Sequence, residues 1–434
     1  MAKKKETLTP EERLQAALVP ESEQPYKVPE NWCWTKIGGI LRLQAGKNIS
    51  ASKISKSRSQ EASFPCFGGN GVRGYVERYS HDGEFPIIGR QGALCGNVNW
   101  ASGKFYATEH AVVVECSSNI SKRWAYHILF SMNLNQYATA TAQPGLSVAV
   151  INQVPIALPP VPEQQRIVDR IESLFAKLDE AKQKAQDALD SFETRKAAIL
   201  HKAFDGELTA QWRQEHGVGM GSWEKANLGK YVDSQYGYTE SASQEQVGPK
   251  FLRITDIQDG VVNWDSVPFC KISDNDFERY AVSQNDIMIA RTGATTGKSY
   301  LIVDDVKAVF ASYLIRIKVK SAQLQPRYLY SFMQSQIYWD QITEFSAGIA
   351  QPGVNAKKLK EIILPIPSVP EQTEIVHILD DLLAKEQPAK EAAEGVLGQI
   401  DLIKKAILAR AFRGELGTND PSEESAVELL KVIV

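Results

Sequence analysis

The sequence lacks the features that mark membrane-spanning, secreted and metal-binding chains. No stretch approaches the roughly 20 apolar residues that cross a bilayer, and no apolar run follows the lysine-rich start, so we expect no membrane segment and no secretory signal. The 5 cysteines are scattered and never form a C-x-x-C pair, which argues against a zinc ribbon or a disulfide framework and favours the cytoplasm. The 6 histidines show no H-E-x-x-H spacing, and no N/D-P-P-Y/F methyltransferase motif occurs. We therefore expect no metal, no cofactor and no catalytic residue in this chain.

Two glycine-rich motifs resemble nucleotide-binding loops but lack the required context. Residues 69–74 fit G-x-G-x-x-G, yet the residues that follow are too short and too broken by Gly83 to form the helix that binds pyrophosphate. Residues Gly293–Ser299 resemble a P-loop but are one residue short, and the β-like sequence SYLIV follows. A nucleotide-binding enzyme that uses Gly293–Ser299 stays open only as a remote alternative.

The charge is unevenly distributed along the 434 residues, although the net charge is only −3. Residues 25–160 carry 13 basic and 7 acidic side chains, a net +6, whereas residues 222–368 carry 16 of each. Residues 369–434 carry 7 basic and 13 acidic side chains, a net −6. Because phosphate neutralisation is local, this distribution permits DNA binding by the globular segments.

An internal repeat with an offset of 208 residues dominates the sequence. VPEQQRIV at 161–168 recurs as VPEQTEIV at 369–376, and the Gln-Pro-Gly at 143–145 recurs at 351–353. The same offset aligns AFDGEL (203–208) with AFRGEL (411–416), without a gap from residue 143 to residue 208. The chain therefore consists of two copies of one unit, each with a β-like segment, a Pro-rich hinge and a long helix that a glycine ends.

Each long helix has an a/d apolar stripe, which is typical of a helix that packs against another helix. The predicted packing positions are Ile167, Ile171, Leu174, Leu178, Ala181, Ala185 and Phe192 in the first copy and Ile375, Leu379, Leu382, Ala393, Ile400 and Ile407 in the second. Two equal copies related as in a two-fold dimer make these helices antiparallel. Arg195 and Glu386 are polar residues on the stripe, and we expect Pro388, Gly395 and Gly398 to kink or loosen the second helix.

The globular segments share a plan while their polar loops differ. An apolar run ends in a basic turn at residues 85–100 and again at 285–301, and the alternation predicts strand, turn and strand. The predicted fold class is α+β: two pseudo-two-fold-related, β-rich α/β domains joined by two long antiparallel coiled-coil helices. A fixed frame with differing loops favours a protein that reads two different targets.

The repeated V-P-E-Q and the paired A-F-x-G-E-L endings, in this order of domains and helices, resemble the specificity subunit of Type I restriction-modification enzymes. The resemblance covers the whole chain. It implies an N-terminal segment (1–24), a first target-recognition domain (25–160), a central helical spacer (161–221), a second recognition domain (222–368) and a C-terminal helical spacer (369–434). It further implies binding of double-stranded DNA and of two modification subunits, which bind S-adenosylmethionine and methylate adenine, with restriction subunits that cleave DNA.

Under this resemblance, each domain reads one half of an asymmetric bipartite site, and the helices hold a fixed gap. Arginine can bind guanine and glutamine can bind adenine in the major groove, so the base-reading candidates are Arg90, Gln91, Arg291 and Thr292, followed by Asn70, Arg73, Arg253, Thr255 and Asp256. The phosphate candidates are Lys47, Lys298 and Lys357. A methylation-only or Type IIG-like system and a coiled-coil scaffold without DNA stay open as alternatives.

Overall fold

The computed structural model describes residues 9–139, 144–258, 260–346 and 353–434. In the first half of the chain it has the helices α1 (Pro10–Ala17), α2 (Ile37–Ile40), α3 (Lys122–Ser131) and α4 (Val148–Gln153). The strands there are β1 (Cys33–Lys36), β2 (Leu41–Ala45), β3 (Phe64–Gly68), β4 (Gly71–Val76), β5 (His81–Asp82), β6 (Phe85–Gly89), β7 (Val98–Ala101), β8 (Lys104–Ala107), β9 (Ala111–Cys116) and β10 (Pro155–Leu158). The long helix α5 (Val161–Asp205) follows.

The described part of the second half has ten strands in a similar order, with further helices between them. Its helices are α6 (Ala210–Glu215), α7 (Asp274–Tyr280), α8 (Pro326–Phe332), α9 (Gln336–Ser346), α10 (Ala356–Glu361), the long α11 (Val369–Ala411) and α12 (Ala426–Ile433). Its strands are β11 (Glu224–Asn227), β12 (Val232–Tyr236), β13 (Lys250–Leu252), β14 (Ile257–Gln258), β15 (Val261–Val262), β16 (Ile287–Ala290), β17 (Ser299–Leu301), β18 (Ala308–Phe310), β19 (Leu314–Val319) and β20 (Ile363–Ile366).

The two halves share one four-stranded sheet and two strand pairs, although β3 and β8 belong to a second four-stranded sheet, β4-β3-β8-β5, in the first half only. An antiparallel sheet has the order β2-β9-β6-β7 in the first half and β12-β19-β16-β17 in the second. A parallel pair, β3 with β8 and β13 with β18, accompanies each sheet, and a short antiparallel pair, β1 with β10 and β11 with β20, precedes each long helix. The duplicated β-rich α/β domain predicted from the sequence is therefore confirmed.

Contacts divide the chain into two compact units, of which the first is made of two separate stretches of sequence and the second of one. Unit 1 comprises Met1–Ala185 and Gly395–Val434, and unit 2 comprises Gln186–Glu394. Each β-rich segment therefore shares a unit with the first part of the long helix that follows it and with the last part of the other long helix.

The helices are antiparallel within each unit. In unit 1, Lys404 Nζ lies 2.5 Å from Asp179 Oδ1, and the core joins Ile167 and Ile171 to Leu408 and Phe412. In unit 2 the two polar residues of the apolar stripe pair with each other, since Arg195 Nη2 lies 2.6 Å from Glu386 Oε2. The predicted packing positions Ile167, Ile171, Ala185, Phe192, Ile375, Leu379, Ala393 and Ile400 are buried, and Leu174, Leu178, Ala181, Leu382 and Ile407 are half-buried.

The second long helix is continuous despite its helix breakers. Pro388, Gly395 and Gly398 are exposed, and the helix runs from Val369 to Ala411 without interruption. Pro388 removes one backbone hydrogen bond, but on an exposed face water can satisfy the carbonyl that loses its donor. The expected loosening therefore does not break the helix.

The repeated V-P-E-Q holds each unit together through a fully buried glutamate. In unit 1 the Glu163 carboxylate accepts hydrogen bonds from Thr418 Oγ1 (2.7 Å) and Arg166 Nη2 (2.7 Å). In unit 2 the Glu371 carboxylate accepts from Thr209 Oγ1 (2.8 Å) and Arg213 Nη1 (2.6 Å). Each threonine follows a Gly-Glu-Leu at the end of the other long helix, so each glutamate fastens that end to its own unit.

The neighbouring glutamine of the motif joins the long helix to the β-rich domain. Gln164 Oε1 accepts from the backbone N–H of Ser121 (2.9 Å), at the start of α3, and Gln372 Oε1 accepts from the N–H of Gln325 (2.9 Å), at the start of α8. These N–H groups precede helices and have no partner within them. The motif recurs because both units need the same two buried contacts.

Candidate nucleic-acid interface

The two leading base-reading candidates occupy equivalent positions in their units. Arg90 follows β6, its N–H donates to the carbonyl of His110 (3.0 Å), and its carbonyl accepts from the N–H of Leu146 (2.9 Å). Arg291 follows β16 in the same way, and its hydrogen bonds join Tyr313 (3.1 Å) and Val354 (2.9 Å). The backbone frame around the two arginines is therefore the same.

The glycine of the repeated Gln-Pro-Gly pairs with the candidate turn in each unit. Gln91 forms an isolated antiparallel bridge with Gly145, and Thr292 forms one with Gly353. Residues 143, 351 and 352 of the two motifs lie outside the described residues. The gapless repeat, which begins at residue 143, therefore starts with the motif whose glycine pairs with the candidate turns.

The side chains on this common frame differ in their surroundings. Arg90 is half-buried and has no ion-pair partner among the described residues, and Gln91 is exposed. The Arg291 guanidinium lies 4.8 Å from the ring centre of Tyr236 and donates to the carbonyl of Ser312 (3.3 Å). Arg291 is therefore held against an aromatic ring, a contact that limits how far its guanidinium can move.

The structure brings the candidates of residues 69–74 next to Gln91. The glycine at 69 is required there, since a Cβ on Gly69 would lie 2.7 Å from the carbonyl oxygen of Gln91. A cavity of about 270 Å³ lies between the two turns, and its lining includes Arg73, Gln91 and His110. Asn70 Oδ1 accepts from Asn97 Nδ2 (3.0 Å), beyond the second turn. Three types of polar side chain thus face one small, open cavity.

Of the remaining base-reading candidates of unit 2, Arg253 and Asp256 bind each other. The Arg253 guanidinium donates two hydrogen bonds to Asp256, at 3.1 and 2.7 Å, and the Asp256 contact raises the pKa of Arg253. Asp256 also accepts from the Arg253 N–H (2.8 Å), while Thr255 is exposed. The fork that arginine would offer to guanine is therefore largely occupied by Asp256.

The three phosphate candidates are exposed lysines. Lys47 follows β2, Lys298 lies between β16 and β17, and Lys357 lies in the first turn of α10. An exposed ammonium group on a flexible stem can neutralise a phosphate without a fixed geometry.

His110 and Tyr313 were missed by the sequence reasoning. Both accept a backbone hydrogen bond from the candidate arginine of their unit, and Tyr313 is one of the most exposed aromatic residues described. Their only sequence signal is that each precedes the strand, β9 or β19, that lies beside the candidate turn. That signal requires the strand order, which the sequence does not reveal.

Neither glycine-rich motif forms a phosphate-binding loop. Residues 69–74 contain the turn between the antiparallel strands β3 and β4, and Gly293–Ser299 joins the antiparallel strands β16 and β17. A strand follows in both places, so no helix N-terminus meets the loop as phosphate binding requires. In the described part of the chain no cluster of His, Cys, Asp or Glu could hold a metal ion, and no helix is long and apolar enough to cross a membrane.

Comparison with known proteins identifies the class. The family model described as "Type I restriction modification DNA specificity domain" matches residues 29–189 and again residues 221–392. The chain therefore belongs to the specificity subunits of Type I restriction-modification systems. Members of this class are non-catalytic DNA-recognition subunits, and the methyltransferase cofactor belongs to the partner subunits.

Individual relatives match to different extents. The specificity subunit of the Escherichia coli enzyme EcoprrI is 48% identical over 147 residues, which are 33% of this chain and 37% of that protein. The EcoBI specificity subunit of Escherichia coli is 25% identical over 348 residues, 76% of this chain and 73% of that protein. A solved structure that addresses assembly and conformational transition of the type I R-M system has a TM-score of 0.68 at 18% identity, and covers 90% of this chain and 100% of that chain. This last likeness concerns the fold.

Proposed function

We propose that this chain directs a Type I restriction-modification complex to an asymmetric bipartite DNA site with a fixed gap. The recognition domains at 25–160 and 222–368 each read one half-site. The observation that carries the proposal is the pair of turns at Arg90-Gln91 and Arg291-Thr292, which have the same backbone hydrogen bonds and the same arginine but differ in the side chain that follows it. Equal frames with different side chains are what two different half-sites require, because base edges specify and phosphate contacts only position.

The helical spacers at 161–221 and 369–434 set the gap and dock two modification subunits. A helix of 45 residues is roughly 65 Å long at about 1.5 Å per residue, a length that supports a role as a spacer. Three apolar side chains of α11, Val396, Leu402 and Ile403, are exposed by 42%, 64% and 40%, which supports a partner on this part of the helix. The modification subunits supply S-adenosylmethionine and methylate adenine, restriction subunits with ATP-dependent translocase and nuclease activity join them, and the complex works in the cytoplasm.

Mapping methylated adenines in cells that express the chain with its modification subunit tests this proposal. The expected result is one bipartite motif with unequal halves and a constant gap. Arg90→Ala should relax one half-site by about 1–3 kcal/mol of discrimination and leave the other intact. Equal loss at both halves would contradict the modular reading.

Two other outcomes separate the alternatives. A coiled-coil scaffold without DNA predicts a complex whose affinity is the same for the mapped site and a scrambled duplex at every salt concentration. A methylation-only or Type IIG-like system predicts the same methylated motif without ATP-dependent cleavage by a complex purified from its native source.

A further inference from the structure

The candidate arginines open a seven-residue loop that is present in both units. Its sequence is RQGALCG at 90–96 and RTGATTG at 291–297, so Arg, Gly, Ala and Gly recur at the same positions. Three backbone hydrogen bonds of the first loop each have an equivalent in the second. In the first loop they run from Cys95 N to Gly92 O (3.0 Å), from Gly96 N to Gly89 O (2.7 Å) and from Asn97 N to Leu94 O (3.2 Å). In the second loop they run from Thr296 N to Gly293 O (3.1 Å), from Gly297 N to Ala290 O (2.8 Å) and from Lys298 N to Thr295 O (2.9 Å). The two loops therefore have one conformation.

Glycine is required at both ends of this conformation. Gly92 and Gly293 have φ of 89° and 79°, and Gly96 and Gly297 both have φ of 89°, a region that residues with a Cβ rarely adopt. A Cβ on Gly96 would lie 2.3 Å from the backbone nitrogen of Asn135. The end of the loop is thus packed against the domain, whereas a Cβ on Gly92 or Gly293 would meet none of the described atoms within 4 Å. The loop has an anchored base and an open tip.

The loops differ where the side chain points outward. Gln91 is replaced by Thr292, and Leu94, which is 50% exposed, is replaced by the half-buried Thr295. The position after Leu94 also differs, but Cys95 is fully buried there and cannot reach a ligand. Leu94 is therefore a large apolar side chain at the open tip of a loop whose backbone is fixed.

We propose that Leu94 and Thr295 are further specificity-determining residues, and that Leu94 contacts the 5-methyl group of a thymine in the major groove. This inference rests on the proposed function. Thymine is the base that presents an apolar group in the major groove, and the neighbouring Gln91 amide can bind the N6 and N7 edge of adenine. A single exposed leucine is ordinary on a protein surface. Leu94, however, lies in a loop that begins with a candidate arginine, as does the equivalent loop of unit 2. The two loops differ at the tip, where Leu94 lies.

Deoxyuridine in place of thymine tests the contact, because uracil lacks only the 5-methyl group. The probe is a duplex that carries the site mapped by methylation, and binding is measured with the complex of the full chain and its modification subunits. One deoxyuridine in the half-site read by unit 1 should weaken binding about fourfold, the effect of exposing one methyl group. Leu94→Ala should weaken binding to the thymine duplex and abolish the effect of deoxyuridine. The control Val261→Ala, at a 65% exposed aliphatic residue of unit 2, should keep it.

The reciprocal exchange separates a contact from a loss of folding. Leu94→Thr should remove the deoxyuridine effect from the first half-site, and Thr295→Leu should create one in the second, in a loop that already has the same backbone. The inference is overturned if Leu94→Ala leaves the deoxyuridine effect unchanged, or if no thymine of the mapped half-site shows one, while the complex still prefers its site. A complex without any preference for the mapped site would instead refute the proposed function.

Discussion

Replacing Arg213 by methionine should destabilise unit 2 far more than the chemically identical change at Arg195. The Arg213 side chain is 7% exposed, and its partner Glu371 is completely buried. Methionine keeps much of the volume but removes the cation. Among the described residues, the buried carboxylate then keeps only Thr209 and Trp223 as hydrogen-bond donors. Breaking a buried pair in this way costs about 3–5 kcal/mol.

The control has the same contact without the burial. Arg195 lies 2.6 Å from Glu386, as Arg213 does from Glu371, but its side chain is 47% exposed and that of Glu386 is 29% exposed. Exposed ion pairs contribute about 0.2–1 kcal/mol. The two methionine variants should therefore differ by several kcal/mol although they remove equally short ion pairs.

Hydrogen exchange followed by mass spectrometry can measure the effect unit by unit, which a single melting curve of a two-unit chain cannot. Arg213→Met should speed exchange in peptides of Gln186–Glu394 and leave peptides of Met1–Ala185 unchanged. Adding Glu371→Gln should restore most of the protection, because the amide removes the buried charge and still accepts hydrogen bonds. Equal effects of Arg213→Met and Arg195→Met, or no recovery with Glu371→Gln, would refute the reasoning.

Two further variants test the packing of the domains on the helices. Phe204→Ala should destabilise unit 2 by about 3–5 kcal/mol, since the ring packs edge-on against Tyr328 (5.5 Å) and Phe332 (5.4 Å). Chemical denaturation measures this loss. A loss below about 1 kcal/mol would mean that these contacts do not form. Burial lowers the pKa of His127, a change that Glu172 at 3.6 Å partly opposes. Because the unfolded chain takes up the proton near pH 6.5, the stability that His127 contributes is present above that pH and is lost as the pH falls through its folded pKa. Because intrinsic amide exchange itself slows as the pH falls, the measured rates are first corrected for it. The protection factors of unit 1 should then decrease from pH 7 to pH 5, and His127→Gln should reduce that decrease; an unchanged pH dependence of protection in the variant would contradict this assignment.

The sequence predicted the features that recur and missed those that depend on strand order. The offset of 208 residues identified the two copies. The antiparallel helices were predictable because the apolar period of a helix can be read from consecutive residues. The equivalence of Arg90 and Arg291 was also predictable, since both end an apolar run at a basic turn. The contact of residues 69–74 with Gln91 was not, because β8 pairs with β3 in parallel and that pairing has no local signal. His110 was missed because it precedes β9, and the pairing of β9 with β6 likewise has no local signal in the sequence.

The buried glutamates explain why the duplication is strict in one part of the chain and loose in another. Glu163 and Glu371 each accept a hydrogen bond from a threonine at the end of the other long helix. The two threonines differ in position by one residue, since Thr209 follows Gly-Glu-Leu directly and Thr418 follows Gly-Glu-Leu-Gly. The carboxylate contact survives this insertion, so the contact is conserved between the copies even where the spacing is not. A fully buried carboxylate without donors is costly, and any change at the hinge or at the helix end would therefore destabilise a whole unit. No such cost falls on the loop tip at Gln91 and Leu94, where the side chains contact solvent. Substitutions there are free to change what the domain reads while the unit that carries the loop stays folded.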